Sequence, residues 1–97
     1  MATYIALSRF TDQGIRTVKD TTRRAAAVQE AAKSFGANMT QIYWTLGQYD
    51  LITIIDADDE QSATAFALAI ASAGNVRMET LRAFSRDEMD GILGKLT

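Results

Sequence analysis

Four side chains at strand-like spacing set the chemical possibilities of this chain: Tyr43, Asp50, Arg77 and Glu79. Arg77 and Glu79 lie two apart in the extended run NVRMETLRAF, so they project from one face of a strand. Tyr43 and Asp50 flank a glycine turn between MTQIYWTL and YDLITIIDA. Tyr4 and Ser8, four apart in the first apolar run, also share a face, and all six can line one open sheet face. An arginine beside a carboxylate in half-apolar surroundings can hold an anionic organic ligand, or change the reactivity of a tyrosine. The same residues equally suit an ion-pair network between subunits or along a sheet edge, with no ligand.

Other chemistries are excluded by composition. The 97 residues contain no cysteine and no histidine. Thiolate catalysis, disulfides, the usual neutral-pH base and the commonest transition-metal ligands are therefore missing. No metal or other cofactor is expected. The acidic run DADDE, Asp56 to Glu60, lacks the spacing of a calcium loop and suits a helix N-terminus instead. Arg23-Arg24 is too short for a nucleic-acid patch. A formal charge of −2 argues against nucleic acid, and no run of apolar residues is long enough to span a membrane. The opening MATYIALSRF is too interrupted for a signal peptide, and the lack of cysteine suits a reducing compartment, so a cytoplasmic location is expected.

The elements that position these side chains follow from periodicity and punctuation. Thr3 to Phe10 reads as a strand, and TDQGIRTVKD as turn chemistry around Thr11, Asp12 and Gly14. TRRAAAVQEAAKSFG is helical, with a stripe at Val28, Ala31, Ala32 and Phe35, and Gly36 supplies a left-handed stop. Two strands follow, separated by Gly47-Gln48, a pair suited to a type II′ turn. DDEQSATAFALAIASAG is a second helix, capped by Asp58, striped by Ala63, Phe66, Ala67 and Ile70, and ended by Gly74. NVRMETLRAF is the fourth strand. SRDEMDGILGKLT opens with a capping box, Ser85 and Glu88, and carries an apolar stripe at Met89, Ile92, Leu93 and Leu96. This terminal helix is expected to cover a sheet edge or to contact a partner.

The order is βαββαβ plus a terminal helix: one α+β, ferredoxin-like domain over residues 1–97, with an antiparallel four-stranded sheet. Right-handed crossovers place both main helices on one face and leave the other bare. Four strands about 20 Å long, spaced ~4.8 Å apart, expose roughly 400 Å², near what a monomer leaves uncovered. A two-residue turn pairs Leu46 with Tyr49 and puts Ile42, Trp44, Leu46, Tyr49, Leu51, Thr53 and Ile55 under the helices. Met39, Gln41, Tyr43, Thr45, Asp50, Ile52, Ile54 and Asp56 then fall on the bare face. That mixture is too polar for core and too apolar for water, which predicts a homodimer or higher homo-oligomer enclosing a small-molecule cavity.

Three segments together resemble the GYD-domain family: TDQGIR after the first strand, LGQYDLI across the hairpin and GNVRMETLRAF in the last strand. The resemblance runs from Tyr4 to Phe84. Its naming residues correspond to Gly47, Tyr49 and Asp50, with Gln48 between the first two. The resemblance implies a ferredoxin-like protein related in shape to dimeric α+β barrels, and no defined activity. Related barrels include cofactor-free monooxygenases, lactone isomerases and ligand-binding regulators.

Three functional readings follow. The first is a homo-oligomeric module that binds a small molecule or regulates a partner. The second is a cofactor-independent enzyme on a hydrophobic substrate, with Tyr43, Asp50, Arg77 and Glu79 as its working residues. The third is a purely structural assembly protein. The absence of histidine and cysteine favours the first.

Overall fold

A computed structural model describes residues 1–96. The strands are β1 (Ala2–Phe10), β2 (Ala37–Trp44), β3 (Leu51–Ala57) and β4 (Val76–Ala83). The helices are α1 (Asp12–Arg16), α2 (Thr21–Ala32), α3 (Glu60–Ser72) and α4 (Arg86–Leu93), with short 3₁₀ turns flanking α2. All strand pairs are antiparallel, in the order β2-β3-β1-β4. This is the expected α+β, ferredoxin-like sheet, with the first strand at its centre.

The predicted stops operate. Gly36 and Gly74 end the first and second long helical segments at φ 70° and 87°, the left-handed region open to glycine. Ser85 and Glu88 form the reciprocal capping box of α4. The cap of α3 is Asp59 rather than Asp58: its Oδ1 accepts the Ser62 amide at 2.7 Å, which lowers the Asp59 pKa. The adjacent aspartates are indistinguishable by composition, and only the chain's entry angle selects between them.

The hairpin register is as expected from Trp44↔Leu51 to Gln41↔Ile54. A bulge at Thr40 then shifts the pairing, so Met39 opposes Ile55 and turns into the core, where it is 2% exposed. The bare-face assignment of Met39 is thereby corrected. The connection is also wider than a two-residue turn. Ladder bonding ends where the Thr45 amide meets the Asp50 carbonyl at 2.8 Å, and the Thr45 hydroxyl donates to the Tyr49 carbonyl at 2.6 Å. Leu46 and Tyr49 do not pair beneath the helices, and Leu46 is fully exposed. Trp44 keeps its helix-side position but not its burial; it is 41% exposed, and its indole N–H reaches the Thr21 hydroxyl at 3.0 Å.

The core lies between the sheet and the α2–α3 layer, around Tyr4, Ala6, Ala32, Met39, Ile55 and Phe66. Tyr4 is the anomaly: its hydroxyl is buried without a hydrogen-bond partner among the described residues. An unpaired buried hydroxyl costs about 1–3 kcal/mol. Tyr4→Phe is therefore expected to raise stability by about 1 kcal/mol in urea unfolding, with the slope of the transition unchanged.

Another set of bonds ties the end of β1 to the start of its neighbour β4. Thr11 caps α1, accepting the Gly14 amide at 3.1 Å while its hydroxyl donates to the Gly74 carbonyl at 2.5 Å. The Thr11 amide bonds the Asn75 carbonyl at 3.1 Å, and the Gln13 amide group reaches both the Ala73 carbonyl and the Asn75 side chain. The TDQG and GN segments are thus one latch, which accounts physically for both.

Beyond β4 the chain leaves the body. α4 stands off the sheet, with Met89 and Leu93 exposed, and the molecule is 52 Å long but 18 Å thick. The expected cover over the chain's own sheet edge is not formed.

Candidate functional site

The strand register divides the expected six-residue cluster between two faces. On β1, Tyr4, Ala6 and Ser8 are buried under the helices, while Thr3, Ile5, Leu7 and Arg9 point the other way. Tyr4 opposes Ile55 and Arg82, and Ser8 opposes Leu51 and Met78, all on the helix side. Arg77 and Glu79 lie on the bare face, opposite Arg9 and Leu7. Tyr43 is there too, opposite Ile52, and is 55% exposed. It stands on β2, however, at the far side of the sheet from Arg77 and Glu79. Three strand spacings separate them, roughly 14 Å.

Asp50 is turned away from that face's centre. Its amide bonds the Ser8 carbonyl and its Oδ2 accepts the Phe10 amide at 2.9 Å. It extends the β1–β3 ladder past the strand end, which is a backbone role. Gly47 has φ 116° with open space where a β-carbon would stand, so its part is conformational.

What gathers at this corner instead is Tyr49 with Glu79 and Arg9. The Tyr49 phenol donates to Glu79 Oε2 at 3.0 Å, and the Arg9 guanidinium lies 4.9 Å from the centre of the same ring. Arg9 Nε also donates to the Gln48 carbonyl at 2.9 Å, so the loop is strapped down over the sheet. The hydrogen bond to Glu79 raises the Tyr49 pKa, helped by desolvation and by the carboxylate's charge, while Arg9 opposes it. A phenol held protonated near a carboxylate is a donor, not a base. Because the folded-state pKa is raised, this pairing stabilises the fold fully below the free phenol's pKa. The contribution is lost as pH rises through the folded value. Replacement Glu79→Gln is expected to lower the Tyr49 pKa in an ultraviolet titration of phenolate, with Tyr49→Phe identifying which of the three tyrosines has moved.

Arg9 was not among the residues singled out from sequence. Its signal was its two-residue spacing from Leu7, which fixes it to the opposite face from Ser8.

The rest of the bare face is apolar at its centre. Ile5, Leu7, Ile52 and Ile54 form two cross-strand pairs, with Leu81 beside Ile5. Arg9 and Arg77 lie directly opposite each other at one end. Asp56 lies at the other, accepting from the Thr3 hydroxyl at 2.8 Å. Arg77 makes no ion pair among the described residues.

Two recesses lie on the helix side. One, about 180 Å³, opens between α2 and α3 above Ser8 and Thr53. The other is a groove of about 480 Å³ beside α3 and the β4 edge, bordered by Tyr4, Thr80 and Arg82. Among the described residues no three acidic, histidine or cysteine side chains are grouped to hold a metal ion, and no helix is long and apolar enough to cross a membrane.

With this geometry in place, comparison with known proteins is informative. The GYD domain model matches residues 4–93. A protein of Thermus thermophilus named "Glutamine synthetase and cystathionine beta-lyase binding protein" is 37% identical over 84 residues, covering 86% of this chain and 88% of that protein. The crystal structure of TTHA0845, also from Thermus thermophilus, matches with a TM-score of 0.57 and 26% identity, over 88% of this chain and 95% of that one.

Proposed function

This chain belongs to the GYD domain family, and from that premise we propose that it is a small homo-oligomeric binding module that engages an enzyme partner and carries out no chemistry of its own. The observation that carries the reading is the bare sheet face. Its centre is apolar, through Ile5, Leu7, Ile52 and Ile54, and its ends are charged, which is the anatomy of an interface core and rim.

Self-association follows from how those charges are arranged. Arg9 and Arg77 occupy one end of the face and Asp56 the other. A two-fold axis in the plane of the face, across the strands, lays the cationic end of one copy on the acidic end of the second. The face alone offers roughly 400 Å², about half of what one partner buries in a standard interface. The exposed apolar side of α4, through Met89, Leu93 and neighbouring Phe84, is the natural source of the remainder.

The partner's class is suggested by the Thermus relative, whose name gives two enzymes it binds. Tyr43, 55% exposed on β2 at the far edge of the sheet from the arginines, would meet hydrogen-bonding groups on such an enzyme. The proposed ligand-contacting role of Tyr43, Arg77 and Glu79 becomes, on this reading, partner contact. Sedimentation velocity on the chain alone, then mixed with purified glutamine synthetase or cystathionine beta-lyase from its own source, tests both parts. A dimer or larger species that co-sediments with either enzyme supports the reading. A monomer at micromolar concentration that binds neither overturns it.

A further inference from the structure

The recess between α2 and α3 has the properties of a small-molecule site. Its floor is the helix-facing side of β1 and β3, where Ser8 and Thr53 are 4% and 8% exposed. They are diagonal neighbours, since Ser8 opposes Leu51 and Thr53 opposes Ala6. Their Cβ atoms are therefore within about 8 Å. Among the described residues, neither hydroxyl enters a side-chain hydrogen bond within the chain, which leaves each able to donate to and accept from a ligand. Both residues are more than nine-tenths buried and line the same cavity, and neither hydroxyl is sealed off without a partner as that of Tyr4 is.

The walls explain why the space exists. Three of the helix positions lining it, Ala25, Ala31 and Ala69, are alanines, and the sheet floor at Ser8 and Thr53 is small as well. The helix layer therefore stands off without filling the middle. Three of the chain's four phenylalanines, Phe10, Phe35 and Phe66, line the recess, with Met39 and Met78. Aromatic edges and thioethers favour a flat ring between them. The volume is about 180 Å³; an apolar cavity of about 150 Å³ accepts benzene.

Charge narrows the ligand further. Among the described residues, Arg24 is the only ionisable side chain lining the recess. Its guanidinium is spent on the Thr17 carbonyl and hydroxyl at 2.8 and 2.7 Å and on the Gly14 carbonyl at 3.2 Å. Nothing else there compensates an ionised ligand, whereas a hydroxyl both donates and accepts. We propose that this recess binds a small uncharged monocyclic aromatic molecule carrying one hydroxyl or carbonyl group, with that group set between the Ser8 and Thr53 hydroxyls. The site is separate from the bare sheet face and does not depend on its role.

Titration of isotopically labelled protein with phenol, benzene and benzoate, followed by NMR, tests this. Phenol is expected to shift resonances of Ala69, Met39 and Met78 saturably and to bind tighter than benzene, with benzoate weakest. The double variant Ser8→Ala/Thr53→Val is expected to weaken phenol roughly tenfold, from the hydrogen bonds lost, and to leave benzene unchanged. Ala69→Leu, which fills the recess, is expected to abolish both while keeping the unfolding midpoint. Equal binding of phenol and benzene would reduce the recess to an apolar void and overturn the proposal. So would benzoate binding tightest, which would make Arg24 an anion receptor, or phenol shifts that survive Ala69→Leu.

Discussion

Gly14→Ala is expected to destabilise the fold by about 3 kcal/mol, at the severe end for adding one methyl group. The reason lies in the latch between the TDQG and GN segments. Gly14 is buried, and a β-carbon there would overlap the Asn75 carbonyl oxygen and lie 2.9 Å from its carbonyl carbon. The obstacle is backbone, which cannot swing aside as a flexible side chain could. It is backbone, moreover, whose oxygen receives the Thr11 amide. Relief requires moving α1 or the start of β4, and either motion breaks the Thr11 and Gln13 bonds to Ala73, Gly74 and Asn75. For a domain near this size each kcal/mol shifts the melting midpoint by roughly 4–8 °C, so a fall of more than about 10 °C in a thermal melt is the expected reading. A midpoint within a few degrees of the parent's would mean that α1 yields and that the latch contributes little.

Ile54→Lys is expected to dissociate the proposed oligomer while leaving the protomer folded. Ile54 sits at the centre of the bare face, opposite Ile5 on one side and Gln41 on the other. In a free protomer the new ammonium reaches water. Between two facing sheets it is an unpaired charge in an apolar centre, which costs about 3–5 kcal/mol, near a thousandfold in the dissociation constant. Sedimentation should then show a monomer with unchanged circular dichroism. Retention of the parent's oligomeric mass would place the interface elsewhere and leave the face to the enzyme partner alone.

Much of this architecture is legible in the residues. Element order follows from punctuation, because Gly36 and Gly74 do what only glycine does cheaply at positive φ. The hairpin register was readable near the turn because two alternating strands separated by a glycine leave few options. The failures share a different cause. β1 is a central strand, apolar on both faces, so alternation could not say whether Tyr4 and Ser8 or Ile5 and Leu7 meet the helices. The bulge at Thr40 carries no local mark, and it alone moved Met39. Tyr49 left its expected pairing for Glu79 and Arg9, partners thirty and forty residues away, a choice made by tertiary contact. The candidate site was thus half visible: Arg77 and Glu79 share a face as their spacing requires, Tyr43 stands on the bare face, and Arg9 went unnoticed.

The central place of β1 has a consequence for synthesis. The first strand made is the one whose neighbours come late: Thr3 pairs with Asp56 and then with Ala83, 80 positions further on. At roughly 5–20 residues per second the ribosome needs about 4–16 s to deliver that span. Until β3 follows, 53 residues after Thr3, a strand apolar on both sides has nothing to pair with, and its second edge stays open until β4 is made. Completion of the sheet therefore waits for β4 and proceeds through long-range closures, which are slow. Nascent chains halted before β4 should remain protease-sensitive throughout, and the N-terminal strand should be the segment a ribosome-bound chaperone holds.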